Sequence, residues 1–268
     1  MFNQIGVIGL GVVGNAVYQS LLKRELNVVG YDKYKNGGIG TFESMSTTDL
    51  IFLCLPTPYS DERCEYDKTS IYEVCRQLAA INYEGIVVLK STVEPETTDT
   101  LARVYNLCML HNPEFLTAKT SCEDFDKQSH IVLGRTSQLS NVCVEKCVEF
   151  YKSLFPDAVI SISNSNESEL MKLAVNNFYS VKIQFFNELF ILSKNINADY
   201  AKVREMMLKN NWINPMHTTV PGPDGKLSYG GMCFPKDTNA LLQYMMRKNS
   251  PHEVLKATVA ERNTMRDD

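Results

Sequence analysis

The stretch QIGVIGLGVVG at residues 4–14 decides the fold. A short apolar run, typical of a buried strand, leads directly into glycines at positions 9, 11 and 14. In such a turn the first glycine permits a tight bend and the second lets a phosphate group approach the backbone. The third lets the following helix pack closely on the strand. The stretch therefore predicts a strand, a phosphate-binding turn and a helix, in that order.

A second apolar run, NVVGYD at residues 27–32, supports this interpretation. It ends at Asp32, eighteen residues after Gly14. An acid at this place accepts hydrogen bonds from the adenine ribose and repels a 2′-phosphate, which favours NAD over NADP; the neighbouring Lys33 is a mild counter-argument. The alternative is a glycine turn without a ligand. The candidate cofactor contacts are Gly9, Gly11, Val12, Val13, Gly14 and Asp32.

The remainder of the first half alternates apolar runs with helical patterns. Strands are predicted at 50–56, 85–91, 108–113, 129–134 and 158–163, and helices at 13–24, 68–81, 97–105 and 141–154. Continuous apolar strands separated by helices are typical of a parallel sheet covered on both faces. We therefore expect an α/β fold with a Rossmann-like doubly wound parallel sheet in an NAD-binding domain over residues 1–163.

Beyond residue 163 the apolar period becomes helical. Helices are predicted at 164–195, 198–210, 236–249 and 251–266, so residues 164–268 are expected to form an α-helical central or dimerisation domain. A stretch rich in glycine and proline, NWINPMHTTVPGPDGKLSYGGMCFP at 211–235, separates the second of these helices from the third. A loop of this length inside a compact chain predicts a functional loop.

Composition excludes several classes of protein. The 268 residues are 44% hydrophobic and 22% charged, with a net charge of −4, so the whole chain has no attraction for nucleic acid or membrane. No basic leader precedes the first apolar run, and charged and amide residues interrupt the apolar stretch 170–192. Eight cysteines without a CxxC pair indicate neither a disulfide framework nor a metal site. We expect a cytoplasmic protein.

The stretch YGGMCFPKD at 229–237 raises a chemical question about Cys233. A thiol is more often a packing residue than a nucleophile. Lys172 and Asn176, four residues apart on one helical face, are equally ambiguous, since alone they fit a solvated strip. The segments KSTVEPETTD (90–99) and HNPEFLTAKTSCEDF (111–125) each follow a predicted strand, at the sheet edge where ligands bind.

The order of the motifs resolves the ambiguity. GLGVVG (9–14), LPTP (55–58), STV (91–93), NPEFL (112–116), KLAVNNF (172–178) and GGMCFPKD (230–237) together resemble the UDP-glucose dehydrogenase family of nucleotide-sugar dehydrogenases. The resemblance covers nearly the whole chain. It implies a four-electron oxidation of a sugar primary alcohol to a carboxylate with two NAD, and UDP-glucose to UDP-glucuronate is the favoured reaction.

The resemblance implies a role for each matching residue. Cys233 falls on the family's nucleophile, which forms a thiohemiacetal and then a thioester with the substrate. A thiol has a pKa of about 8.5, so a cation such as Lys236 or a helix N-terminus must favour its thiolate. Lys172 and Asn176 match the stabilisers of the developing alkoxide. The residues that match the water-handling group are Thr92, Glu114 and Asp237.

The resemblance also implies binding residues. Thr57, Thr92 and Lys236 match positions near the cofactor. The substrate is expected to contact Glu114, Phe115, Leu116, Lys172, Asn176, Lys226, Tyr229, Gly230 and Gly231.

Two departures from the family pattern stand out. Ala118 and Lys119 replace an acid and a glycine that normally follow NPEFL. The sequence also stops at VAERNTMRDD, where the central helices would end, so we expect the UDP-binding third domain to be lacking. Two alternatives therefore remain: a dehydrogenase of GDP-mannose, a UDP-N-acetylhexosamine or a sugar phosphate, and a non-catalytic NAD-binding partner of a full-length dehydrogenase.

The long helix at 165–195 also predicts assembly. Its apolar residues spread too widely around the helix for one neighbouring sheet to cover them. Because large uncovered apolar patches are uncommon on monomers, we expect a homodimer built on this helix. The alternative is a monomer whose last helices cover the same face. The apolar residues are Leu170, Leu173, Phe178, Val181, Phe185, Phe186, Leu189, Phe190 and Leu192.

Overall fold

The computed structural model describes residues 2–268 and divides into two compact units. The sheet unit comprises Met1–Pro58 and Asp67–Lys172, and the helical unit comprises Tyr59–Tyr66 and Leu173–Asp268. The strands, numbered along the chain, are β1 (Ile5–Ile8), β2 (Val28–Tyr31), β3 (Leu50–Leu53), β4 (Tyr59–Ser60), β5 (Glu65–Tyr66), β6 (Ile86–Leu89), β7 (Cys108–His111), β8 (His130–Arg135) and β9 (Val159–Asn164). The helices are α1 (Val12–Lys23), α2 (Thr69–Ala80), α3 (Thr97–Tyr105), α4 (Ser121–Asp126), α5 (Asn141–Leu154), α6 (Ser165–Asn195), α7 (Tyr200–Leu208), α8 (Phe234–Arg247) and α9 (Glu253–Met265).

The sheet unit is a doubly wound α/β fold, as predicted. Its seven strands have the order β2-β1-β3-β6-β7-β8-β9. The chain direction across the sheet reverses between β1 and β3, and open α/β sheets bind ligands at such a switch point. The glycine turn therefore lies at the preferred ligand-binding edge of the sheet.

One detail of the predicted sheet is wrong, because the sheet is not parallel throughout. β7 and β8 pair antiparallel, with Leu110 opposite Arg135, and β9 then runs parallel to β8. A parallel partner needs a crossover connection, usually a full helix that covers the sheet. The connection from β7 to β8 carries only the six-residue helix α4, which packs against α1. The last two strands are therefore reversed.

The central strands bury side chains on both faces of the sheet, since alternate residues of each strand point to opposite sides. In β3, Leu50 and Phe52 pack with residues of α1 and α5, while Ile51 and Leu53 pack with residues of α2 and α3. Full burial of each such side chain contributes about 1.5–3 kcal/mol to the free energy of unfolding. These two apolar layers hold the strand ends, and the loops that follow them, in fixed positions.

The helical unit contains α6 from Leu173 onward, α7, α8 and α9, together with the hairpin of β4 and β5, which the sequence did not predict. The hairpin brings Tyr66 into an apolar cluster with Leu173, Leu241 and Leu255. The helix predicted at 164–195 is confirmed as α6. Among residues 2–268, no helix is both long and apolar enough to cross a bilayer.

Candidate functional site

The glycine turn between β1 and α1 contains two kinds of glycine. A Cβ on Gly9 would lie 2.6 Å from the carbonyl oxygen of Cys54, and one on Gly14 would lie 1.7 Å from the Gly9 oxygen. Packing therefore requires these two glycines. A Cβ on Gly11 would meet no protein atom within 4 Å. The open space at Gly11 leaves its backbone accessible to a ligand at the N-terminus of α1.

Asp32 follows β2 and is hydrogen-bonded to this turn. Its Oδ2 accepts from the Leu10 N–H at 2.7 Å, and its Oδ1 accepts from the N–H groups of Lys35 at 2.8 Å and Tyr34 at 3.0 Å. Burial raises the pKa of Asp32, but these backbone donors outweigh it and hold the pKa below its usual value. Asp32 is therefore ionised. Lys33, the counter-argument in the sequence, pairs with Glu73 at 3.1 Å.

The loops after β3 and β6 are joined by two hydrogen bonds. The Thr57 hydroxyl donates to the Thr92 carbonyl at 2.7 Å, and the Ser91 hydroxyl donates to the Leu55 carbonyl at the same distance. The structure thus brings together the two threonines that the sequence placed near the cofactor. It adds Ser91, which sequence reasoning missed.

Glu114 and Lys172 form an ion pair in the sheet unit. The Lys172 ammonium donates to the Glu114 carbonyl at 2.5 Å and lies 3.4 Å from its carboxylate. The same carboxylate accepts from the Leu116 N–H at 2.6 Å, and the ammonium lies 5.0 Å from the centre of the Phe115 ring. Both charged side chains are largely buried. The predicted residues of NPEFL and the predicted lysine therefore meet in one unit.

A buried network that the sequence did not reveal supports the NPEFL loop. The Lys90 ammonium donates to Asn112 Oδ1 at 2.7 Å and to the Asn112 carbonyl at 3.1 Å, and the Tyr151 hydroxyl donates to the same Oδ1 at 2.5 Å. Burial lowers the pKa of Lys90 to about 8. Lys90 and Tyr151 gave no signal, because a lysine before a loop and a tyrosine on a helix are ordinary residues.

Asp237 is the centre of the polar group in the helical unit. This buried carboxylate accepts from Asn176 Nδ2 at 2.6 Å, from the Tyr66 hydroxyl at 2.5 Å and from the Lys236 ammonium at 2.5 Å. The Asn177 amide donates to the Asp237 carbonyl at 3.1 Å. The structure therefore joins Asn176, Lys236 and Asp237 as a group. Tyr66 and Asn177 are additions, because no motif contains Tyr66 and the sequence assigned no role to Asn177 within KLAVNNF.

Cys233 differs from most of the other cysteines in its surroundings. It is exposed and occupies the N-cap position of α8, directly before Phe234. The backbone N–H groups at a helix N-terminus carry a partial positive charge. Burial, by contrast, raises the pKa of Cys54, Cys75 and Cys147 to about 12. The predicted nucleophile is therefore exposed at a helix N-terminus, whereas the surroundings of these three cysteines disfavour their thiolate forms.

The loop before Cys233 is fixed by two arginines. Tyr229 is buried, and its carbonyl accepts from Arg262 Nε at 3.3 Å. A Cβ on Gly230 would lie 2.3 Å from the Arg266 guanidinium. Gly231 has a φ of +79°, which favours glycine. Lys226 pairs with Asp268 at 2.9 Å. Sequence reasoning missed both arginines, whose only signal was positive charge near the end of the last helix.

The sheet unit has the features of a dinucleotide-binding fold, namely the glycine turn, Asp32 and the switch point. The same chain also contains a helical unit, in which a cysteine lies at a helix N-terminus. Two domain models of one family match parts of this chain. The NAD-binding domain of the UDP-glucose/GDP-mannose dehydrogenase family matches residues 38–155, and the central domain of that family matches residues 166–264. The chain belongs to the UDP-glucose/GDP-mannose dehydrogenase family. Family membership and NAD as the cofactor are confirmed.

Individual proteins show the same relationship. UDP-glucose 6-dehydrogenase of Rhizobium meliloti is 30% identical over 228 residues, which are 81% of this chain and 50% of that protein. A UDP-glucose dehydrogenase structure from Pyrobaculum islandicum superimposes with a TM-score of 0.83 at 26% identity, over 97% of this chain and 68% of that one. UDP-D-ManNAc dehydrogenase from Pyrococcus horikoshii shares the fold, with a TM-score of 0.80 at 19% identity over 98% of this chain and 68% of that one. The chain spans about half the length of the curated relatives it matches.

Proposed function

We propose that this chain oxidises the C6 primary alcohol of a nucleotide sugar to a carboxylate with NAD, and that the favoured reaction converts UDP-glucose to UDP-glucuronate. The observation that carries the proposal is the buried Asp237 carboxylate. It is bonded to Asn176 and lies one turn into the helix whose N-cap is Cys233. An acid, an amide and an exposed thiol so arranged provide proton transfer, oxyanion stabilisation and a nucleophile.

The residues act in two successive oxidations of the same carbon. NAD, when bound, accepts a hydride in each of them. In the first, the alcohol gives its hydroxyl proton to the group that contains Asp237, while Lys172 and Asn176 stabilise the negative charge that develops on the oxygen as the aldehyde forms. The Cys233 thiolate then adds to the aldehyde carbon to give a thiohemiacetal, and the second oxidation converts that group to a thioester.

Water completes the reaction by hydrolysing the thioester. Its oxygen bonds to the carbonyl carbon, the bond to Cys233 sulfur breaks, and one water proton must leave. We assign this proton to the carboxylate of Asp237, with Glu114 and Thr92 as further members of the water-handling group. Tyr66 and Lys236 both donate to Asp237, so they hold its carboxylate in one orientation.

The alternatives differ in substrate or in the absence of catalysis. A related dehydrogenase acting on GDP-mannose, a UDP-N-acetylhexosamine or a sugar phosphate would use the same residues on a different substrate. A non-catalytic NAD-binding partner has no chemical need of Cys233, Lys172, Asn176 and Asp237 together. Retention of all four favours an enzyme. Its cytoplasmic location stays a prediction.

The test is NADH formation with a panel of UDP-glucose, GDP-mannose, UDP-N-acetylglucosamine, UDP-N-acetylmannosamine and glucose 1-phosphate. We expect the highest kcat/KM with UDP-glucose. A higher value for another member would move the assignment to that substrate. NAD binding without NADH formation from any of them would support the non-catalytic partner instead.

We also propose a homodimer built on α6. Phe178, Phe185 and Leu192 are exposed, at about 65%, 50% and 52%, and follow one another at intervals of seven residues. Such spacing places them in one strip along a helix, the pattern of a helix–helix seam. A second copy of the chain covers this strip symmetrically.

Sedimentation or light scattering at micromolar concentration tests the dimer, with Phe185→Glu as the disrupting variant and Glu205→Lys on exposed α7 as the control. A dimer that only Phe185→Glu dissociates supports the proposal, and a fully active monomer contradicts it. Mixing Cys233→Ser chains with Lys226→Gln chains then tests whether sites are shared. Recovered activity indicates that the two chains complement one another, and none indicates self-contained sites.

A further inference from the structure

Three cationic side chains converge in the helical unit, beside the loop that precedes Cys233. Lys226 lies in that loop, Arg262 in the last turn of α9, and Arg266 directly after α9. All three reach the carboxylate of Asp268: Lys226 Nζ at 2.9 Å, Arg262 Nη2 at 3.4 Å and Arg266 Nε at 2.7 Å. We call Lys226, Arg262 and Arg266 the cation cluster.

The cluster has a fixed part and a replaceable part. The side chains of Arg262 and Arg266 are only 9% and 2% exposed. Arg266 is further held by Asp224 at 2.7 Å and by the Leu227 carbonyl at 3.4 Å. The side chain of Asp268, by contrast, is 47% exposed. The buried guanidinium groups are therefore built into the unit, whereas the carboxylate that they bind lies at its surface.

The charges favour a stronger anion than one carboxylate. Three positive charges face the carboxylates of Asp224 and Asp268, so the cluster keeps an excess of one positive charge. Arg266 binds both oxygens of the Asp268 carboxylate, at 2.7 Å and 2.9 Å, but the Asp268 side chain is half-exposed, so a stronger anion from solvent can compete for the same donors. A phosphate carries more charge and more acceptor oxygens than a carboxylate, and its geometry matches the donor fork of arginine.

The position of the cluster connects it to the nucleophile. The Arg262 Nε donates to the Tyr229 carbonyl at 3.3 Å, and the Arg266 guanidinium lies against Gly230. Cys233 is three residues beyond Gly230, and three residues of chain span at most about 10 Å. A group bound at the cluster therefore lies beside the loop that carries the thiol.

We propose that the cation cluster binds a phosphate group of the substrate, and that Asp268 occupies the place of this phosphate when no substrate is bound. The inference rests on the proposed function and extends it, because it gives this chain a phosphate site within its own helical unit. The ligand chemistry is a phosphate ester with at least two negative charges. Its source is either the diphosphate of a nucleotide sugar or the monophosphate of a sugar phosphate.

The test is titration of the full chain with inorganic pyrophosphate by calorimetry, without NAD. We expect Lys226→Gln to weaken binding about tenfold, the loss expected for one charge-assisted hydrogen bond. Asp268→Asn removes the competing carboxylate and should tighten binding about fivefold, which corresponds to about one surface ion pair. Lys256→Gln, an exposed cation on α9 outside the cluster, is the matched control and should change nothing. Circular dichroism verifies that each variant is folded.

The direction of the Asp268→Asn effect is decisive. If this folded variant binds pyrophosphate no more tightly than the unchanged chain, the cluster only forms ion pairs within the protein and the proposal is wrong. Absence of pyrophosphate binding by the unchanged chain leads to the same conclusion. Competition by UDP or by glucose 1-phosphate identifies the source of the phosphate, and competition by neither overturns the proposal. The readout of this test is binding rather than activity. A chain that binds pyrophosphate but forms no NADH would therefore contradict the proposed function and leave the phosphate site supported.

Discussion

Two glycine-containing turns open helices in this protein, and they are built in different ways. The turn at 9–14 opens α1, and its Gly9 and Gly14 are required by contacts with residues of adjoining segments of the same sheet unit. The turn at 229–233 opens α8, and Arg266, far away in sequence, packs under its Gly230. In the first turn the glycines are required by backbone carbonyl groups, those of Cys54 and Gly9. In the second turn Gly230 is required by a side chain, the guanidinium of Arg266.

The largest expected effect tests the second turn. Cys233→Ser replaces the proposed nucleophile with a poorly nucleophilic hydroxyl, so we expect formation of the sugar acid to fall by about 10⁴-fold while NAD affinity is unchanged. Cys122→Ser is the matched control, since Cys122 is also exposed but lies on α4. Acid production and NAD binding are measured side by side. Native turnover by Cys233→Ser would show that the loop has no nucleophile.

A pair of glycine variants tests the first turn. Gly14→Ala puts a Cβ 1.7 Å from the Gly9 oxygen, so we expect the free energy of unfolding to fall by about 2–3 kcal/mol. Gly11→Ala meets no protein atom, so stability should be retained while NAD affinity falls about tenfold. Urea unfolding and NAD titration separate the two effects. Equal loss of stability in both variants would contradict the distinction between packing and ligand glycines.

Cofactor choice is the next effect in size. Asp32 is ionised and bonded to the Leu10 N–H beside the glycine turn, so a 2′-phosphate meets a negative charge there. We expect kcat/KM to favour NAD over NADP by about 100-fold, and Asp32→Asn to reduce this preference. Steady-state kinetics with both cofactors measure the ratio. Equal use of the two cofactors by the unchanged chain would show that Asp32 does not discriminate.

The smallest effect concerns the remote support of the second turn. Tyr66→Phe removes one hydrogen bond to the buried Asp237, so we expect kcat to fall about tenfold with little change in the KM for NAD. Tyr59→Phe, in the same hairpin, serves as the control. A decrease in kcat shared by both variants would indicate a general loss of the hairpin rather than the loss of support for Asp237.

These differences explain what the sequence predicts and what it does not. The periods of the apolar residues predict the strands and long helices, because each element must bury one face or stripe. The reversal of β8 and the hairpin at Tyr59–Tyr66 have no such signal, since a short connection and two-residue strands leave no period. Asn176 and Asp237 were indicated by motifs. Tyr66, Arg262 and Arg266 become visible only when the chain is folded, because their partners lie far away in sequence.

The stoichiometry of NADH shows whether one sugar molecule passes through both oxidations on this enzyme. A limiting amount of UDP-glucose is oxidised to completion with excess NAD, and NADH is counted against the sugar consumed. We expect two NADH per UDP-glucose and UDP-glucuronate as the product, because the proposed Cys233 thiohemiacetal carries the sugar through a second oxidation. One NADH per sugar with release of the aldehyde, or no NADH at all, would contradict it.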